Sequence, residues 1–470
     1  MVATSQAPEF KIASPPAESV ARFASRLVFD DVPAAATERA KLLILDALGV
    51  GLASNAYPFS ERAMAGIVAL AERDGTCSVL GRRDRLPVRD AALANGILIH
   101  GLDFDDTHLA SIIHASAACL PCALSLSESL DVDGRQFLLA YMAGMETAVR
   151  VGAAVKGGFH HVGFHATGVV AHFSSAIIAS KLLGLNADQM ISAQGIAAST
   201  ASGVQVFLEE GAWTKRFHPG WAAVAGITAA RLAQAGFKGP SRPYEGRFGL
   251  FHAYLQSYAE HADPGVIGDG LGKTWNFADT AIKPYPVCHF IHGCADAAIE
   301  LNRIVEAAEI AEVEAFLPKD TMPIVAEPAA AKQNPTTDYE AKFSAPFVVA
   351  TCLIKGGFGL PELQPEALAD ADVLALTRRV RCSVDSNSAF PTYFSGGVEV
   401  TLRDGSKVMR HVRINSGAGE RALDRDGVSE KFFASASLAI PAEQAQEIRD
   451  IVLDIENRPL RQLAQALRAR

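Results

Sequence analysis

Residues 166–185 read ATGVVAHFSSAIIASKLLGL, the nearest approach in this chain to a continuous apolar run. Twenty helical residues span the hydrocarbon core of a bilayer, so this stretch decides between a membrane span and a buried helix. His172, Ser174, Ser175 and Lys181 interrupt it, and no unbroken run of eighteen apolar residues occurs. The stretch therefore predicts the core helix of a globular protein. Working outward, Asp31-Val-Pro33 reads as a helix start, and Ala36, Ala40, Leu43, Ala47 and Val50 repeat at the spacing of one buried face. Asp133-Gly134 precedes a second helical pattern, FLLAYMAGMETAVRVGAAV. Asn186 is a capping candidate for a third, GLNADQMISAQGIAASTASG. Alanine and glycine at this density imply helices packed closely together.

A length of 470 residues exceeds what one core usually organises, which predicts two domains. With 49% hydrophobic and 20% charged residues, the composition is globular rather than disordered. A net charge of −9 argues against a nucleic-acid surface, so an anionic ligand would need a local basic pocket. The opening MVATSQAPEFKIASPPAESV has no basic stretch followed by an apolar one, and the seven cysteines are an odd number. Both features suit a cytoplasmic protein without membrane partners. Cys119-Leu-Pro-Cys122 is the one CxxC, and it has neither a second pair nor a redox-fold context, so it reads as structural.

The pattern changes near residue 280. One helical run, HGCADAAIELNRIVEAA, gives way to period-two segments at 313–317 and 379–384. Val398–Leu402 and Lys407–Arg413 flank Arg403-Asp404-Gly405-Ser406, an Asp-Gly hairpin turn. Helical pattern returns from Ser429, and Ala442–Leu467 reads as a terminal helix pair. The expected fold class is mainly α with a smaller α+β domain. Residues 1–279 and 417–470 would form the all-helical domain, with 280–416 inserted as the α+β domain.

Chemistry-bearing residues concentrate in four places. HGLDFDDTHLASIIHASAA, at 100–118, holds Asp103, Asp105, Asp106, His108 and His114. Read as a metal site, it would use the three aspartates with His108. It lacks a matching second acidic cluster, and neither HxxxH nor HExxH spacing occurs within it. Read as an acid–base site, Asp103 orients a histidine, Thr107 donates a hydrogen bond, and His114 exchanges a proton. Asp105, Asp106 and His108 read as caps or backbone partners. In GGFHHVGFHATG, at 157–168, His165 stands at a loop-to-helix junction where amides welcome an anion. EEGAWTKRFHPGWAA, at 209–223, gathers Lys215, Arg216 and His218 into a local positive pocket. Lys283, between Pro284, Pro286 and the predicted domain junction, is an anion-clamp candidate. No Walker A loop, dinucleotide fingerprint, nucleophile elbow or iron–sulfur cysteine set occurs. This pool of side chains suits proton abstraction beside a carboxylate, without an organic cofactor. The bland alternative is a dicarboxylate-binding protein that uses the lysines alone.

Taken in order, LLILDALGVGLAS at 42–54, NGILIHGLDFDDTH at 95–108, GFHATG at 163–168, WTKRFHPGWAA at 213–223, IKPYPVCHFIHG at 282–293 and PTTDYEAKFSAPF at 335–347 resemble the MmgE/PrpD family. The resemblance implies a helical domain built from both chain ends, a lid domain between them and a homodimer. It implies a lyase that works without cofactor or metal on a small di- or tricarboxylate held between the domains. Dehydration of the 2-methylcitrate type is the expected reaction, with decarboxylation or epimerisation as alternatives. By motif, the pocket would contain Asp103, Thr107, His114, His165, Lys215 and Lys283. The lysines, with Arg216, would neutralise carboxylates, and the histidines would move the proton. Where the decarboxylase branch carries a tyrosine, the comparable stretch here is IVAEPAAAKQNP, with Glu327.

Overall fold

The computed structural model describes residues 14–71 and 75–469, so part of the opening stretch read for a leader lies outside the described residues. The chain is mainly helical with a smaller α+β portion. Among the described residues, no single helix is long and apolar enough to cross a membrane. Two compact units form, Met1–Thr280 with Arg425–Arg470, and Ala281–Asp424.

Among the helices of the first unit, those that position the site are α1 (Ala34–Ala53), α2 (Val88–Ile99), α3 (Ser116–Leu130), α4 (Gly134–Ala154), α5 (Ala166–Leu182), α6 (Ala187–Ala198) and α7 (Thr214–Gln234). The returning segment adds α8 (Arg425–Ala436), α9 (Ala442–Leu453) and α10 (Leu460–Ala466). Local chemistry sets several starts. Asp133 accepts from the Gln136 amide at the head of α4, and Asn186 forms a reciprocal capping box with Gln189 on α6. The stretch that opened the sequence reading becomes α5, buried from Ala166 through Ser180 and packed between α4, α6 and α7. It is buried on every face because neighbours surround it.

Small residues set how closely these helices meet. A Cβ on Gly96 of α2 would lie 2.4 Å from the Cα of Gly220 on α7, and one on Gly226 would lie 2.4 Å from Ser175 Cβ on α5. Backbone therefore touches backbone where α7 crosses its neighbours, which fixes the position of the side chains at its N-terminal end.

The second unit carries a four-stranded sheet in the order β4-β3-β5-β6, while β1 (Cys77–Ser78) and β2 (Arg85–Leu86) make a small ladder in the first unit. Here β3 is Ile310–Leu317, β4 Val380–Val384, β5 Gly396–Leu402 and β6 Lys407–Val412. β3 runs parallel to β4 and antiparallel to β5. The β5–β6 hairpin closes through Asp404 and Gly405, with Gly405 at φ +86° and Asp404 Oδ1 accepting from the Ser406 amide. The helical run after residue 291 stops at Asn302, short of the sequence expectation. Residues 417–424 belong with this unit, eight residues beyond the boundary read from sequence. The Ile282 amide donates to Gly417 O, and Arg421 pairs with Asp296 at 3.3 Å.

Candidate active site

The loop from His100 to Ala115 joins α2 to α3 and is held in a conformation the chain does not adopt freely. Asp103 has φ +53° and Ile112 φ +52°, the left-handed region that non-glycine residues seldom occupy. Such a conformation persists where its surroundings over-determine it. One support comes from far along the chain, on α8. Lys431 Nζ donates to the Phe104 carbonyl at 2.7 Å, pairs with Asp46 of α1 at 2.6 Å, and lies 3.8 Å over the Phe104 ring. The other support is Asp106, which accepts from the Ser116 hydroxyl and amide at the head of α3.

Burial pushes the Asp46 carboxyl above its ordinary range, and the Lys431 ammonium works against that rise. Lys431→Met removes the partner of a buried acid. It is expected to cost about 3–5 kcal/mol of stability, read from urea or thermal unfolding of the two proteins. An unchanged midpoint would show that the strut carries no load.

Above this loop, the imidazoles gather. His100 Nδ1 donates to Asp105 Oδ2 at 2.8 Å, both side chains fully buried. His114 Nδ1 lies 2.8 Å from the Asp106 carbonyl and 3.3 Å from Thr107 Oγ1. A carbonyl only accepts, so the proton sits on His114 Nδ1 and the tautomer is set. His114 Nε2 then lies 3.9 Å from Asp103 Oδ1, and the His114 amide donates to Thr167 Oγ1. His165 occupies the N-cap position of α5, its amide donating to Gly203 O and its Nδ1 3.0 Å from His218 Nδ1 on α7. The His100 ring stacks on His165 with centroids 5.4 Å apart, and His114 lies 4.9 Å from His100. Lys215 Nζ, in the first turn of α7, pairs with Asp103 Oδ1 at 2.9 Å.

Two helix N-termini, those of α5 and α7, thus meet through the His165–His218 contact, and both add positive potential. The electrostatics follow from burial among cations. Burial first, then the charges of His100, Lys215, His218 and His114, hold His165 well below the ordinary histidine range. Burial likewise lowers His218 to about 4, with His100 and Lys215 adding to the effect. Both rings are neutral near pH 7, the state in which an imidazole accepts a proton.

The structure brings together Asp103, Thr107, His114, His165 and Lys215 of the residues expected from sequence. Arg216 is buried beside them in sequence, but its guanidinium lies 4.1 Å over the Phe59 ring and 5.8 Å from that of Trp213. Lys283 belongs to the second unit, where it is buried. Of the three residues read as caps, Asp106 bonds the α3 backbone and His108 Nδ1 meets Ser111 Oγ at 2.8 Å. Asp105 differs, because it is the partner of His100. Sequence reading did not single out His100, and it named His218 without giving it a role. The available signal was the spacing His100 to Asp105 across a helix end and a turn, which a reverse in backbone direction makes a contact.

Residues 18–261 match the MmgE/PrpD N-terminal domain and 285–457 the MmgE/PrpD C-terminal domain. The chain belongs to the MmgE/PrpD family. The cis-aconitate decarboxylase-like protein oryM of Aspergillus oryzae is 29% identical over 97% of each chain. The cis-aconitate decarboxylase of Homo sapiens is 29% identical, covering 89% of this chain and 87% of its own. The 2-methylcitrate dehydratase of Cupriavidus necator is 24% identical over 89% and 90%. In this MmgE/PrpD chain the C-terminal family domain runs past the second compact unit, since α8 and α9 return to the first.

Proposed function

We propose that this chain is a lyase that removes the proton beside a carboxylate of a hydroxy di- or tricarboxylate and expels water. The observation that carries the reading is a buried neutral imidazole, His165, gathered with a second imidazole, an aspartate and the Lys215 ammonium. Lys215 takes a substrate carboxylate and offsets the charge that grows as the carbon loses its proton. His165 accepts that proton. His114, its Nδ1–H fixed by the Asp106 carbonyl, presents Nε2 toward Asp103 and, as the acid of this reading, carries its second proton there. It gives that proton to the departing hydroxyl, so the carbon–oxygen bond breaks and water leaves. Thr107 and Asp103 hold the second imidazole. The same reading carries a cytoplasmic homodimer, which light scattering would show as twice the chain mass.

Decarboxylation is a second reading, favoured because the relatives at 29% identity carry decarboxylase names while the dehydratase relative stands at 24%. Proton NMR of the purified protein with 2-methylcitrate, citrate and cis-aconitate separates the two. An unsaturated acid formed with loss of water supports dehydration, whereas carbon dioxide from cis-aconitate selects the second reading. Deuterium uptake from solvent with neither loss would point to epimerisation. Tight binding with no turnover of any of these acids would mark a binding protein, and neither binding nor turnover would overturn the reading.

A further inference from the structure

Three imidazoles of the first unit, those of His100, His114 and His165, share a property that proton transfer does not require. Each has Nδ1 engaged from behind: His100 by the Asp105 carboxylate at 2.8 Å, His114 by the Asp106 carbonyl at 2.8 Å, and His165 by His218 Nδ1 at 3.0 Å. The acceptors behind His100 and His114 set both orientation and tautomer, and the His218 ring orients His165. The Nε2 atoms of His100 and His165 are buried and meet no hydrogen-bond partner. His100, His114 and His165 also each offer one ring nitrogen in a group whose members all lie within 4.8 Å of one another. His100 and His114 are held as imidazoles that ligate a transition metal are, with the second ring nitrogen bonded to a carboxylate or carbonyl. Three histidines around an open fourth position form a tetrahedral zinc-type site. A buried ring nitrogen without a partner is costly, and one cation bound at the convergence satisfies the set.

We propose that His100, His114 and His165 bind one divalent transition-metal cation of zinc-like ligand preference, and that its binding blocks the reaction. Asp105 and the Asp106 carbonyl act as the outer supports. Asp103 and Asp105, which form a second such group with His114, supply negative charge against the nearby Lys215 ammonium. Nitrogen ligands select zinc, cobalt, nickel or copper over magnesium and calcium, which prefer an all-oxygen shell. Only the inhibition clause rests on the acid–base reading, because a metal that occupies the ring nitrogens of His165 and His114 takes the lone pairs that move protons.

Co2+ added to the chelator-treated full chain is the direct probe, with Zn2+ as its competitor. The expected result is one Co2+ per chain with visible bands of tetrahedral nitrogen coordination, displaced by Zn2+ and not by millimolar Mg2+. His100→Ala, His165→Ala and Asp105→Asn should each weaken binding by about tenfold or more. Circular dichroism melts check folding, and His114→Gln, at the partly exposed member of the trio, keeps the test open if the buried variants unfold. Lys215→Ala separates the two readings, since it should lower turnover by about 100-fold or more yet bind Co2+ as tightly as the parent or more so. Zinc should stop turnover, and a chelator should restore it. Absence of the tetrahedral bands, or unchanged Co2+ affinity in folded His100→Ala and His114→Gln, overturns the site. Turnover that persists with the metal bound overturns only the inhibition clause.

Discussion

Lys215→Ala is expected to lower kcat by about 100- to 1,000-fold while KM changes far less. The reason lies in when the charge appears. A substrate carboxylate is already anionic when it binds, but removal of the neighbouring proton adds a second negative charge that the ground state lacks. A buried ammonium 2.9 Å from Asp103 meets that charge in a medium where few water dipoles compete. Its interaction is therefore worth more in the transition state than before it, and such differential binding appears in kcat. Arginine is no substitute, since its planar fork does not reproduce a compact point charge at the first turn of α7. Steady-state kinetics on whichever acid turns over gives the answer. An alanine variant with parental kcat would remove Lys215 from the chemistry.

His165→Asn is expected to reduce turnover by about 100- to 10,000-fold and to abolish exchange of the substrate's carbon-bound proton with deuterated solvent. The exchange measurement matters because it reports proton removal alone. Asparagine keeps a polar group at the head of α5 and a partner for His218, but it has no basic nitrogen. Burial and the surrounding cations keep His165 neutral, so the parent holds a ready base near pH 7. Exchange that survives in the variant would assign the base to another residue, and His114 would be the next to replace.

Much of the fold was legible in the sequence because it rests on local signals. Asp133, Asn186 and the Asp404-Gly405 pair set helix starts and a hairpin through contacts within a few residues. α5 was recognised as core because its polar interruptions excluded a bilayer. Less legible was anything that depends on a change of chain direction. The run after residue 291 keeps a helical pattern through Ala308, yet the helix ends at Asn302, before β3 begins. The sheet order, with β3 between a parallel and an antiparallel neighbour, has no local signature.

The site divides in the same way. Asp103, His114, His165 and Lys215 stand in motifs that announce themselves by composition. His100 was invisible because it ends a helix and looks like its last polar residue. Asp105 was read as a cap because acids near helix ends usually are. Only the positive φ at Asp103, a three-dimensional fact, turns that acid back toward the ring five residues earlier. Gly168 and Gly203 leave room for His218 beside His165: a Cβ on Gly168 would stand 3.1 Å from His218 Cβ, and one on Gly203 would stand 3.2 Å from its Nδ1.

The strut from Lys431 to Phe104 has a temporal consequence. Translation delivers every acid–base residue of the first unit by His218, but the chain must grow more than two hundred residues further before α8 can brace the loop. A nascent polypeptide that already carries His100, His114, His165, Lys215 and His218 still lacks the brace on its loop. The loop's support arrives late, when α8 emerges from the ribosome and packs back on α1.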